Sequence, residues 1–216
     1  MALTIFDPYG SIEIPEGSTG LDAERRRDEF YQLIGKCIKE WANVEQKLFE
    51  LCVFALNAPR TQAAVVYYKT PTIDARLTLT DELVRVILPK KERPDGGKDH
   101  KWVVTWAKLY TDIKDLLPER NLLAHAPVRE VETVQTLLSL TGEMRISTLA
   151  SWLEIVMSEG EKLRGKADKP PIRAQHLKSH LEAVKLLAAR ISVFHGTIAA
   201  EPPATPSQNS TAPRQD

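Results

Sequence analysis

The chain has 216 residues, with Lys+Arg 29 against Asp+Glu 29 and a formal net charge of +0. That balance excludes a strongly basic polymer-coating protein and an acidic solvating tail protein. With 43% hydrophobic and 27% charged residues, the composition fits one core-burying domain, or one domain with an appendage.

Residues 1–20 hold Pro8, Gly10, Pro15, Gly17 and Gly20 with little periodicity, which predicts an irregular N-terminal arm. The opening MALTIFDPYGSIEIPEG has neither a basic n-region nor an apolar h-region. Apolar runs such as Ala63 to Val66 fall far short of the roughly 18–20 residues that cross a bilayer. The expectation is a cytoplasmic protein with no membrane partner.

From Leu21 the pattern becomes helical. Phe30, Leu33 or Ile34, Cys37, Trp41, Val44, Leu48, Leu51 or Cys52, and Ala55 step by three and four, one buried stripe on a long helix. Asp22 suits its N-cap, and Asn57-Ala58-Pro59 stops it. A second helix runs from Pro59 to Tyr68 and breaks at Lys69-Thr70-Pro71. Thr72 can cap a third, through Leu88, whose apolar face is Ile73, Leu77, Leu79 or Thr80, Leu83, Val84 and Ile87. The stretch PKKERPDGGKDHK reads as a solvated, locally basic loop.

Trp102, Val103, Trp106, Leu109 or Tyr110, Ile113, and Leu116 or Leu117 mark the next helix, which Pro127 ends. Pro118 is either a kink or the first residue of a fresh helix. Residues 128–172 form an appendage and linker, read as a β-hairpin turning at Thr141-Gly142. Leu177, Leu181, Val184, Leu187 or Ala188, Ile191 and Phe194 define a C-terminal helix over 173–199, and the Pro-, Ser- and Thr-rich tail 200–216 is expected to be disordered. The fold class is therefore all-α: a helical core over 21–127, completed by 173–199, with a small appended segment read as a β-hairpin.

Cys37 and Cys52 lie on one helix, separated by roughly 22 Å, too far to pair within it. They read as reduced packing residues. His176 and His180 stand four apart, a spacing that can bind zinc, but Leu177-Lys178-Ser179 between them supplies no general-base Glu. Surface histidines are the better reading, and no metal or cofactor is expected. The sequence holds no G-x-x-x-x-G-K-[ST], G-x-G-x-x-G or G-x-S-x-G motif and no Cys-rich zinc pattern. Arg25, Arg26 and Arg27, among Glu24, Asp28 and Glu29, suit a salt-bridged exposed face.

The sharpest local pattern is Arg120-Asn121-Leu122-Leu123-Ala124-His125. Asn121 and His125, four apart, share a helix face, so the amide can orient the imidazole, while Arg120 flanks that face. A guanidinium grips phosphate as a planar fork and an imidazole moves protons near neutral pH. Together they suit metal-free phosphodiester cleavage, and two sets facing each other in a symmetric dimer would supply both acid and base. If Pro118 opens a new helix, Arg120 sits in its first turn, where free N–H groups favour phosphate. Glu45 could reach across the bundle to pair with Arg120 or His125. The plainer reading makes RNLLAH a packed helix end and Glu45 a solvated glutamate beside Lys47.

RNLLAH matches the R-x4-6-H motif of HEPN (higher eukaryotes and prokaryotes nucleotide-binding) domains, with a polar residue after the Arg, and Trp41, Val44 and Glu45 resemble the W-x-x-V-E of their long first helix. The resemblance covers roughly Leu21 to Pro127 plus the final helix. It implies an all-helical bundle, a homodimer with both motifs in one cleft, and a metal-independent endoribonuclease of the toxin or antiviral-defence kind. RNA is the implied substrate, an antitoxin or regulator an implied partner, Arg120 and His125 the catalytic residues, and Asn121 a support. Members that continue the motif as R-x4-H-x-Y carry a modifiable tyrosine where this chain has Pro127. The alternative is a non-catalytic module of the same fold that binds a nucleotide or protein.

Overall fold

The computed structural model describes residues 3–7, 10–14, 20–88, 101–138, 144–155 and 171–200, with side-chain environments from 24 onward except over 132–152. The expected loop at 89–100, the turn at Thr141-Gly142, and the tail 201–216 lie outside the described residues.

The protein is all-α with appended hairpins. Its order is β1 (Leu3–Asp7), β2 (Gly10–Ile14), α1 (Gly20–Leu56), α2 (Arg60–Lys69), α3 (Ile73–Ile87), α4 (Lys101–His125), β3 (Val128–Leu138), β4 (Met144–Ile155) and α5 (Ala174–Ala200). Each hairpin is antiparallel: Leu3 opposes Ile14 in the first, and Val128 opposes Ile155 in the second, with an irregularity between Thr133 and Val134.

The structure corrects one sequence expectation and decides between the two offered at Pro118. The N-terminal arm is a paired hairpin over 3–14, because Leu3 and Ile5 alternate on one strand and Ile12 and Ile14 on the other. Gly10 lies within that pairing, opposite Asp7. At Pro118, α4 continues unbroken for 25 residues. The helix forgoes the bond that a residue 118 N–H would donate to the Lys114 carbonyl. Arg120 therefore lies near the carbonyl end of α4, not in the first turn of a new helix, and the N-terminus of α4 does not assist it with phosphate.

Elsewhere the local signals explain the boundaries. Asn57 closes α1 in the left-handed region at φ 45°, a conformation asparagine tolerates. The Thr72 side chain accepts from the Ala75 N–H at 3.1 Å, capping α3. On α3 the buried positions are Ile73, Leu77, Thr80 and Val84, and the Thr80 hydroxyl is satisfied by donating to the Arg76 carbonyl at 2.8 Å.

The described chain divides into two compact units, 1–46 with 112–188, and 47–111 with 189–200. In the first, Phe30, Cys37, Leu123, Ile155, Leu177 and Leu181 form a buried cluster that draws together α1, α4, α5 and the end of the hairpin. The Ile155 and Ile172 backbones exchange hydrogen bonds of 2.9 and 3.0 Å, tying β4 to the chain entering α5. Glu154, 4% exposed at its side chain, lies between Arg129 at 2.5 Å and Arg173 at 3.6 Å. In the second unit, Trp106 stacks on Phe194 with ring centroids 5.6 Å apart and donates its indole N–H to Asp81 at 2.8 Å. Phe49, Tyr67 and Tyr68 pack there in mutual contact.

By length and composition alone α5 is apolar enough to cross a membrane. It is also amphipathic: Leu177, Leu181, Val184, Leu187, Ala188, Ile191 and Phe194 are buried, while Lys178, Glu182 and Lys185 are exposed.

Candidate functional site

The motif occupies the last two turns of α4, inside the first compact unit. Leu117 and Leu123 point into the core at 6% and 7% exposure, which fixes the helix rotation and turns Arg120 and Asn121 outward. Arg120 is partly buried, Asn121 and His125 are exposed, and His125 is the final residue of α4.

Arg120 is engaged from two sides. Its Nη2 donates to Glu45 Oε1 on α1 at 3.4 Å, and its Nη1 donates to Asn121 Oδ1 at 3.3 Å. Both contacts are long, and the paired side chains are 28% and 21% exposed. The pair is worth about 1 kcal/mol or less, weak enough for either group to exchange partners. The Asn121 oxygen thus faces the guanidinium of its neighbour; no hydrogen bond from Asn121 to His125 is found among the described residues. An arginine one residue away has the reach to take the amide oxygen that the shared helix face would otherwise offer the imidazole.

A cavity of about 130 Å³ opens beside the Arg120–Glu45 pair. Ile38, Trp41 and Ala42 of α1 and Leu123 and Ala124 of α4 form its walls, and among the described residues the charged groups lining it are that carboxylate and that guanidinium. Ile38 is 47% exposed and leaves one flank of the cavity open to solvent.

Behind the cavity lies a polar arrangement that the sequence reading missed. His180 is a buried residue of α5, 5% exposed, and not the surface histidine expected. Its Nε2 accepts the Trp41 indole N–H at 2.9 Å. Nε2 is therefore the lone-pair nitrogen, and the ring proton belongs on Nδ1. Nδ1 faces Glu119 Oε2 at 2.5 Å, without the alignment of a hydrogen bond. The signal was present: position 180 falls between Leu177 and Val184 on the buried stripe of α5. His176, by contrast, is exposed, so the two histidines do not form a zinc pair. Among the described residues, no group of three or more His, Cys, Asp or Glu side chains is placed to hold a metal ion.

Both thiols are buried and unpaired. Burial pushes the Cys37 thiol up to about 11, with Glu119 adding to the effect, and burial raises Cys52 as well. The Cys37 Sγ donates to the Leu177 carbonyl at 3.5 Å. Neither is a nucleophile at neutral pH.

Chemically, the end of α4 presents a guanidinium that can grip an anion, an amide beside it, an accessible imidazole that can carry a proton, and a carboxylate that holds the guanidinium in place. Comparison with protein-family models, curated proteins and solved structures returned no match.

Proposed function

We propose that the chain is a metal-independent endoribonuclease of HEPN type, acting as a homodimer in a cytoplasmic toxin or defence role. The observation that carries this reading is the grouping of Arg120 and His125 at one accessible end of α4, with Arg120 held at the mouth of a cavity by a weak pair to Glu45.

In this reading a ribose 2′-oxygen attacks the adjacent phosphorus while one His125 imidazole takes the 2′-hydroxyl proton. The bond from phosphorus to the 5′-oxygen breaks, and the same imidazole of a second copy gives that oxygen its proton. The products are a 2′,3′-cyclic phosphate and a 5′-hydroxyl. Arg120 leaves Glu45 for the phosphate and offsets the charge that builds on its oxygens, while Asn121 steadies the guanidinium.

One observation favours the alternative, a non-catalytic module that binds a nucleotide or protein: the resting guanidinium is already paired with a carboxylate. Cleavage of a labelled oligoribonucleotide in EDTA separates the two. His125→Ala and Arg120→Ala should each lower the rate by about 10²-fold or more, with unfolding midpoints unchanged, since His125 is exposed and Arg120 partly so. Equal cleavage by the wild type and both variants, or none by any of them, defeats the nuclease reading.

A further inference from the structure

The cavity between α1 and α4 is small and chemically uneven. Its volume of about 130 Å³ is well below the roughly 300–1,000 Å³ of a drug-sized pocket. It is close to the roughly 150 Å³ apolar cavity that accepts benzene. The space therefore suits one flat six-membered ring, with anything larger projecting past Ile38 into solvent. Trp41, Ala42, Leu123 and Ala124 give that ring apolar walls, Glu45 supplies a carboxylate, and Arg120 a guanidinium that pairs with it at rest.

An ionised carboxylate only accepts hydrogen bonds, through two oxygens side by side. Within apolar walls it selects a ring edge that carries adjacent donors and rejects one that places an acceptor against it. Among the RNA bases, guanine alone offers two neighbouring donors, N1–H and N2–H, on the six-membered ring's Watson–Crick edge. Adenine, cytosine and uracil each set an acceptor beside their donor. Unstacked bases of single-stranded RNA are read in just this way, through that edge.

We propose that this cavity is a base subsite for guanine. The six-membered ring enters between α1 and α4, Glu45 accepts from N1–H and N2–H, and Arg120, released from Glu45, takes the 3′-phosphate of the same nucleotide. The choice of an RNA base and the placement of that phosphate rest on the nuclease reading above; nucleotide binding tests the subsite separately from cleavage. Glu45 is then a specificity-determining residue, and scission falls on the 3′ side of guanosine.

The test is calorimetric titration of the full chain with the 3′-monophosphates of guanosine, adenosine, cytidine and uridine, alongside cleavage of oligoribonucleotides containing a single guanosine or adenosine. The guanosine nucleotide should bind about tenfold or more tightly than the other three. Ala124→Leu fills the cavity from an exposed helix position and should weaken that binding about tenfold while the unfolding midpoint holds. Glu45→Gln, which sets a donor beside an acceptor, should bring guanosine and adenosine nucleotides to similar affinity. Equal binding of all four nucleotides, or unchanged binding by a folded Ala124→Leu, overturns the subsite whatever the cleavage assay gives. Selective binding without any RNA cleavage leaves the subsite standing and removes the nuclease reading.

Discussion

Replacing His180 by leucine removes the acceptor of the Trp41 indole N–H while keeping a side chain of similar bulk in its place. Trp41 is 1% exposed, so water cannot take over the 2.9 Å bond. A buried donor left without a partner costs about 1–3 kcal/mol. Glu119, whose side chain is 49% exposed, rehydrates and adds little. For a chain of this size each kcal/mol moves the melting midpoint by about 2–4 °C, so the expected loss is roughly 2–12 °C. Trp41→Phe removes the donor, and adding His180→Leu to it should cost less than His180→Leu alone in the wild type. The two single effects should thus fail to add by about 0.5–3 kcal/mol. Thermal unfolding followed by circular dichroism for the four proteins reads this directly. A His180→Leu midpoint within 1 °C of wild type, or strictly additive changes, would refute the claim that the indole bond anchors α1 to α5.

Three further outcomes follow from the packing. Cys37 and Cys52 should resist a thiol-specific reagent at pH 8 in the native protein and both react once it is unfolded, because burial disfavours both thiolates; rapid native labelling of either would contradict their burial. Thr72→Ala should destabilise by about 1 kcal/mol through loss of the α3 cap, and Thr72→Ser should restore most of it in urea unfolding. His195 is held below its usual value chiefly by burial, with Lys47 acting the same way and Glu50 opposing. The unfolded chain therefore binds this proton more readily than the folded one. The His195 contribution is present above about pH 6.5 and declines as the solution is acidified below that value. His195→Phe should flatten that decline in melting midpoints taken between pH 7 and pH 5.5, and an unchanged slope would discount burial as the cause.

The helices were legible because their signals are local. The three-and-four spacing from Phe30 to Cys52, the threonine at 72 and the asparagine at 57 each act within a turn or two of chain. The hairpin over 3–14 was obscured because its alternation covers only five residues a side, flanked by the prolines and glycines that ordinarily signal loops. Pro118 could not be decided from sequence, since neighbours outside the helix determine whether one lost hydrogen bond is tolerated. At the candidate site the sequence singled out Arg120, Asn121, His125 and Glu45. It could not rank Asn121's two possible partners, which depends on side-chain reach. His180 was read as a surface histidine, whereas its place three residues after Leu177 and four before Val184 sets it on the buried stripe.

The ribbon of β3 and β4 has a further consequence. Its strands run 11 and 12 residues, and Val128, Leu153 and Ile155 at its root pack with the buried cluster of the first unit. The Ile155 amide, bonded to the Ile172 carbonyl within that packing, should exchange slowly. A change at this root would disturb the entry to α5 together with the hairpin, since the Ile155–Ile172 hydrogen bonds tie the two together.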